Sequence, residues 1–242
     1  MTVAPTPLHG RAPHRRWLMA AGAAALVLAG IVIGLLIHGD ASETSSAVGV
    51  EGSGAPASET RDVAAFAAVD LAGSNNVTIH VGGRQAVVVS ADDNLVDHVT
   101  TRVEGGKLII GTTSGSFTTK TPMNVDVTVP ALHAVTLSGS GRVVADGIDA
   151  ERMTVALPGS GILRASGTVT TLAVDHSGSG DAQLGGLVAS DVRAVLGGSG
   201  RIVVTATKTL DATVTGSGAI FYGGDPAQVT TSVTGSGVVM RG

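Results

Sequence analysis

The sequence predicts an all-β chain, most of which is a β-solenoid, a parallel β-helix with about 19 residues per turn. Three observations predict it. The triplet Gly-Ser-Gly recurs six times at nearly constant spacing: its second glycines are Gly141, Gly161, Gly180, Gly200, Gly218 and Gly237, at intervals of 20, 19, 20, 18 and 19 residues. Glycine supplies 35 of 242 residues while aromatics make up 2 %, so any core is aliphatic and the chain is rich in corners. From Val63 onward, apolar residues alternate with polar ones at a period of two, with no helical period of 3.6.

Aligning the triplets shows what repeats. Two residues before the first glycine (Gly139, Gly159, Gly178, Gly198, Gly216, Gly235) stand Leu137, Leu157, His176, Leu196, Val214 and Val233. Four before stand Val135, Val155, Val174, Ala194, Ala212 and Thr231, and six before stand His133, Met153, Leu172, Val192, Leu210 and Val229. Two residues past the second glycine stand Val143, Leu163, Ala182, Ile202, Ile220 and Val239, and a second small corner follows at Gly147, Gly167, Gly186, Ala206 and Gly224. Each unit is thus read as a strand with three inward residues, a Gly-Ser-Gly corner, a second short strand and a second corner. One such unit cannot bury its apolar face alone, but stacked copies bury a continuous one. With strands about 4.8 Å apart, six units make a rod about 25–30 Å long. Each inward Val or Leu contributes about 1.5–3 kcal/mol on burial. Glycine is required where corners stack, because a β-branched residue would clash or demand a strained φ.

Between Val63 and the first triplet the pattern is that of short strands. NVTIHVGGRQAVVVS reads as a hairpin: Val77, Ile79 and Val81 face inward, Thr78 and His80 outward, and Gly82-Gly83 turns into the run 86–89. TTRVEGGKLIIGTT repeats the idea with its turn at Glu104-Gly105-Gly106, and MNVDVTVP places Val125, Val127 and Val129 on one face before Pro130 closes the strand.

The N-terminal part differs. Residues 1–16 carry Arg11, Arg15 and Arg16 and no acid, and Trp17 to Ile37 is 21 residues without a charge. At about 1.5 Å per residue a helix of that length crosses a hydrocarbon layer of about 30 Å. Arginines before the span predict a single-pass anchor with a cytoplasmic N-terminus and an exported, extracytoplasmic remainder. A cleavable signal peptide is the competing reading, but the apolar run is long for one and Ser45-Ser46-Ala47 is a poor cleavage site. Arg15-Arg16 resembles a twin-arginine signal only faintly, and Gly30 and Gly34 form a GxxxG in a span already rich in small residues. Residues 38–62, rich in Ser, Gly, Ala and acids, read as a flexible tether that includes the Gly-Ser-Gly at 52–54. The domains are therefore 1–16, 17–37, 38–62 and the solenoid 63–242.

Charge and composition exclude several classes. Of 15 basic residues three precede Ile37, leaving 12 against 19 acids beyond it, a net charge of −7. No nucleic-acid footprint exists in such a domain. The absence of cysteine removes disulfides and thiolate metal sites.

Candidate chemistry is sparse. A glycine corner offers amides to anions, but no Gly-Lys-Ser/Thr followed by a helix is present, so the triplets are read as structural. If they stack, Ser140, Ser160, Ser179, Ser199, Ser217 and Ser236 form a ladder able to face a ligand. Asp175-His176-Ser177 holds the residue types of a hydrolase triad, yet alternate strand residues point to opposite faces and the set cannot converge. His176 falls on an inward site, as does His133 two repeats away, about 10 Å along the stack, too far to share a metal. His80 and His98 have no ligand spacing. Asp92, Asp93 and Asn94 read as a turn with an Asx cap rather than a calcium loop. Asp146, Asp149, Glu151, Asp175, Asp181, Asp191, Asp211 and Asp225 recur at no fixed repeat position, which argues against paired carboxylates for glycoside cleavage. Arg142 and Arg201 face outward, with Ile162 and Asp181 breaking the stripe between them, and Phe221-Tyr222 is read as a cap on the rod.

The segments VAAFAAVDLAG, VVVSADDNLVDHVTTRVEGGKLII and VDVTVPALHAVTLSGSG, followed in that order by serial Gly-Ser-Gly units, resemble the auto-transporter adhesin head GIN-domain family over about residues 62–242. The resemblance implies an exported or anchored bacterial protein with a right-handed β-helix; the family has no established enzymatic activity, so it supplies no catalytic residue, and no cofactor or metal is expected. The single expected span and lack of a translocator barrel depart from a literal auto-transporter. The resulting expectation is an envelope protein displaying a non-catalytic, adhesin-like module, with the membrane, an envelope polysaccharide or an envelope protein as partners, and self-association through the terminal rung VVMRG. The alternatives are a carbohydrate-active β-helix enzyme and an envelope assembly or stress accessory protein.

Overall fold

The computed structural model describes residues 49–242. The segments 1–16 and 17–37 and the first part of the expected tether lie outside the described residues. No helix among the described residues is long and apolar enough to cross a membrane.

In chain order the strands are β1 (Val50–Glu51), β2 (Pro56–Thr60), β3 (Ala68–Leu71), β4 (Asn76–Val81), β5 (Ala86–Asp92), β6 (Val99–Glu104), β7 (Lys107–Thr112), β8 (Phe117–Thr118) and β9 (Asn124–Val129). There follow β10 (Ala134–Leu137), β11 (Arg142–Ala156), β12 (Ile162–His176), β13 (Asp181–Leu196), β14 (Arg201–Val214), β15 (Ala219–Gly223), β16 (Gln228–Val233) and β17 (Val238–Arg241). Among the described residues a single 3₁₀ turn, Val96–His98, interrupts them.

The chain winds into a β-solenoid of about five turns. Successive rungs pair in parallel, Arg142 beside Ile162, then Asp181, Arg201, Ala219 and Val238. These steps reproduce the triplet spacing. The aliphatic core also follows the sequence register: Leu137, Val155, Leu157, Leu163, Leu172, Leu196, Ile202 and Val214 are all buried. The period of two places every second side chain inside, and direct stacking puts like aliphatic residues on one another.

Three features of the repeat differ from expectation. The second corner does not end a strand: β11 runs through Gly147, which takes φ 72° and bends it. A parallel ladder tolerates such a bend at a bulge, here between Ala145 and Ile148, so in β11 to β14 the two expected short strands are one long one, while at Gly224 the corner separates β15 from β16. His133 is exposed, and Leu132 is buried in its stead, because the strand begins only at Ala134 and the alternation has not yet started. Val229, Thr231 and Val233 occupy inward register in β16 but are exposed, since no rung lies over them.

The solenoid also begins earlier than the first Gly-Ser-Gly. β10 stacks on β3, and β11 on β4, so residues 68–81 form a rung whose corner is Gly73-Ser74-Asn75. Residues 82–133 are inserted between that rung and the next. β7 adds in parallel to β3 with β6 antiparallel beside it, while β9 adds in parallel to β4 and β5 runs antiparallel to β9. The insertion thereby covers the edge that the first rung would expose.

The β6–β7 hairpin is as expected, turning at Gly105-Gly106 with φ 57° and 76°, the signature of a type I′ turn. The expected β4–β5 hairpin does not form. β9 lies between the two, its buried Val125 and Val127 carrying the same alternation that β4 needs in a parallel neighbour.

Residues 49–60, read from sequence as tether, are laid against the insertion. β2 pairs antiparallel with β5 and β1 in parallel with β8.

Candidate functional site

The triplet corners stack through their own backbone. The Ser160 amide donates to the Gly139 carbonyl (3.1 Å), Ser179 to Gly159 (3.3 Å), Ser199 to Gly178 (3.2 Å) and Ser217 to Gly198 (3.2 Å). The residue after each triplet does the same one step on: Asp181 donates to Gly161 (3.0 Å) and Arg201 to Gly180 (3.1 Å). These amides are spent on the rung below, so the corner is not a cradle for an anion. A Cβ on Gly139, Gly159, Gly178, Gly198 or Gly216 would overlap a carbonyl oxygen of the preceding rung, and one on Gly141, Gly161, Gly180, Gly200 or Gly218 would do likewise. Close approach rather than positive φ demands glycine here; of the twelve, only Gly235 has a positive φ, 117°.

With the backbone engaged, the serines point away. Ser140, Ser160, Ser179, Ser199, Ser217 and Ser236 are all exposed and form a ladder along the rod. Beside it runs an outward column of Arg142, Ile162, Asp181, Arg201, Ala219 and Val238, and then a second of Val144, Arg164, Gln183, Val203, Phe221 and Met240. A groove of about 400 Å³ follows the ladder, lined by Ser179, Ser199 and Ser217 on one side and Asp181 and Arg201 on the other. Phe221 and Tyr222 do not cap the rod, because β17 covers them with Met240 and Arg241.

The titratable residues are separated rather than gathered. His176 is fully buried, its Nδ1 2.9 Å from the Leu157 carbonyl and its Nε2 2.8 Å from the Gly180 carbonyl, while Asp175 and Ser177 are exposed on the other face. His80 Nδ1 meets Asp146 Oδ1 at 2.9 Å on the surface, and His98 Nδ1 meets Thr113 Oγ1 at 2.8 Å with its ring on Phe117. No cluster of three or more metal-ligating side chains occurs among the described residues.

Asp92, Asp93 and Asn94 form a latch. Asp92 is buried and accepts from the Gly54 amide (3.0 Å), the Lys120 amide (2.9 Å), and the amide (3.3 Å) and hydroxyl (2.9 Å) of Thr121. Burial alone raises its carboxyl, but these hydrogen bonds to the charged form outweigh it and the net shift is downward. Ser53 donates its hydroxyl to Asp93 (2.5 Å) and its amide to Asn94 (2.8 Å), and Asn94 donates to the Glu51 carbonyl (2.8 Å). The latch thus binds residues 51–54, the fragment read as linker.

A cleft of about 550 Å³ also opens where the first rung meets the insertion, lined by Asn75, Phe117, Lys120 and Met123. No local motif in the sequence announces it, since its two walls, residues 74–76 and 112–123, are 36 or more residues apart and meet only through the insertion's strand order.

Several solved bacterial structures share this fold. A "putative adhesin" from Bacteroides fragilis is 22% identical, with a TM-score of 0.67, covering 80% of this chain and 100% of that one. A "putative adhesin" and a "putative lipid binding protein", both from Parabacteroides distasonis, are each 22% identical with a TM-score of 0.51, covering 80% of this chain and 99% of theirs. At that identity the likeness is one of fold. No protein of curated function matches the sequence. The family model described as "Putative auto-transporter adhesin, head GIN domain" matches residues 65–226, and the chain belongs to that family.

Proposed function

We propose that the chain is a bacterial envelope protein, anchored in the inner membrane through Trp17–Ile37 with its N-terminus in the cytoplasm, that displays the solenoid outside as a non-catalytic interaction module. What carries this reading is the way stacking distributes charge. Asp181 stands between Ile162 and Arg201, Asp191 between Thr171 and Thr209, and Asp175 between Ala156 and Val195. No acid of the stacked rungs faces another on a neighbouring rung in these registers, as like charges one strand apart repel. Directly opposed carboxylates, one way of assembling the pair that glycoside cleavage needs, are thus missing from these registers. What the rungs do present is a regular outward ladder of hydroxyls beside two mixed columns that include Arg142, Arg164, Gln183 and Arg201, a surface suited to an extended partner lying along the rod. The adhesin naming of the family and of its structural relatives supports the same reading.

The test uses the full-length chain in detergent micelles, incubated with isolated envelope polysaccharide and peptidoglycan. Co-sedimentation without soluble sugar fragments is expected. Time-dependent release of fragments would overturn the non-catalytic reading.

A further inference from the structure

We propose that the strip beside the serine ladder holds a carboxylated sugar of an acidic polysaccharide in a recess over β13, gripped by Arg164 and Arg201; this rests on the interaction-module reading and gives it a ligand class. β13 is where the repeat breaks. Its register shifts against β12 between Arg164 and Ser166, and against β14 between Leu184 and Val188. The surplus backbone is Gly185-Gly186, exposed and bare of side chains, and it leaves a recess of about 640 Å³ walled by Val144, Ser166, Gln183 and Val203. That volume lies within the range of about 300–1,000 Å³ typical of small-molecule sites. Bulges of this kind re-aim the side chains around them.

Two cations straddle the recess and both lean over β13. Arg164, one rung before, donates its Nε–H to Gln183 Oε1 at 2.7 Å. Arg201, one rung after, has its Nε 3.6 Å from Asp181 Oδ1. In each case the inner nitrogen meets the neighbour on β13, and the terminal Nη groups donate no hydrogen bond among the described residues. Those Nη groups form the planar fork that takes a carboxylate in two parallel hydrogen bonds. Asp181 balances only one of the two charges.

The surroundings select a sugar acid over a bare polyanion. Ser166 offers a hydroxyl that both donates and accepts, as sugar hydroxyls require, while Gln183 is held between Arg164 and Asp181 and fixes the floor of the recess. Arg201 lines both the recess and the groove of Ser179, Ser199 and Ser217, so a chain seated by its carboxylate continues along a row of hydroxyls.

The full-length chain in detergent micelles is titrated calorimetrically with polygalacturonate, with its methyl ester and with inorganic polyphosphate. Polygalacturonate is expected to bind and the ester not. Arg164→Gln and Arg201→Gln should each weaken binding roughly ten- to a hundredfold. Arg201→Lys, which keeps the charge and loses the fork, should also weaken it, whereas Arg193→Gln, an exposed arginine paired with Asp211 elsewhere, should leave it unchanged. Unaltered circular-dichroism melting shows that the variants fold, as expected for exposed sites. Equal binding of the ester, an equal loss in Arg193→Gln, or tighter arginine-dependent binding of polyphosphate would each overturn the proposal. If no probe binds while the chain still sediments with envelope polysaccharide, the carboxylate assignment falls and the interaction module stands; if neither occurs, both fall.

Discussion

Gly159 lies directly on Gly139, so that a Cβ at Gly159 would overlap the Gly139 carbonyl oxygen. The atoms met are backbone, which cannot swing aside as a side-chain tip does. Gly159→Ala must therefore push two rungs apart and strain the Ser160 amide bond to Gly139. A loss of about 2–3 kcal/mol or more is expected, at or beyond the top of the overpacking range. Ser160→Ala, one residue on and exposed, should stay within about 0.5 kcal/mol. Denaturant unfolding of both variants checks the contrast. A tolerated Gly159→Ala would mean that the corners are looser than their stacking implies.

His176 occupies the column in which its neighbours are Leu157 and Leu196. Its ring touches two carbonyl oxygens, but each has another donor: Leu157 receives the Gly178 amide at 3.1 Å and Gly180 the Arg201 amide at 3.1 Å. Replacing the ring leaves neither carbonyl orphaned. A leucine also fits the space, because Leu137 over Gly161 and Leu196 over Gly218 already fill the equivalent one. His176→Leu is expected to alter stability by less than about 1 kcal/mol. A drop in melting temperature as large as that of Leu157→Ala, for which about 2–5 kcal/mol is expected, would assign the histidine an essential polar role.

Asp92 makes the fold sensitive to acid. Its folded-state carboxyl lies below its ordinary value, so protons bind the unfolded chain more readily. The stability it contributes is complete above the ordinary carboxylate range and is lost as pH falls through the lowered folded value. Asp92→Asn should melt lower at pH 7, since an amide offers donors where three amides and a hydroxyl already donate. The variant should also show a shallower decline in melting temperature below about pH 4, the unfolded titration range. Parallel acid declines in variant and parent would exclude this latch as the source.

Most of the rod is legible in the sequence because stacking makes chemistry repeat. The triplets, the Leu/Val columns and the outward Arg142 and Arg201 all follow from one alignment, and the rung pairing reproduces them residue for residue. The first rung escapes that alignment because Asn75 stands where a second glycine is expected, on the far side of a 52-residue insertion. The recess escapes it for the opposite reason. It exists where β13 departs from the repeat, and its two arginines come from different columns two rungs apart, so no sequence spacing joins them. The latch at Asp92 was legible as a turn, but not its partners, which lie 38 residues before and 28 after it.

The order β4–β9–β5 is the least local part of the fold, and engineered crosslinks test it against the hairpin that the sequence favours. Thr78 sits beside Asp126, and Asp126 beside Val88, so Thr78 and Val88 are two strands apart. Neighbouring strands are about 4.8 Å apart, whereas a disulfide tolerates Cα separations only up to about 6.8 Å. The chain has no cysteine of its own, so each engineered pair reports without background. Thr78→Cys with Asp126→Cys, and Asp126→Cys with Val88→Cys, are expected to oxidise readily, leaving no free thiol by colorimetric titration. Thr78→Cys with Val88→Cys should retain both thiols in the folded state, because β9 holds the pair about 9–10 Å apart. Rapid closure of that third pair would mean that β4 and β5 are hydrogen-bonded neighbours and that β9 is displaced from between them.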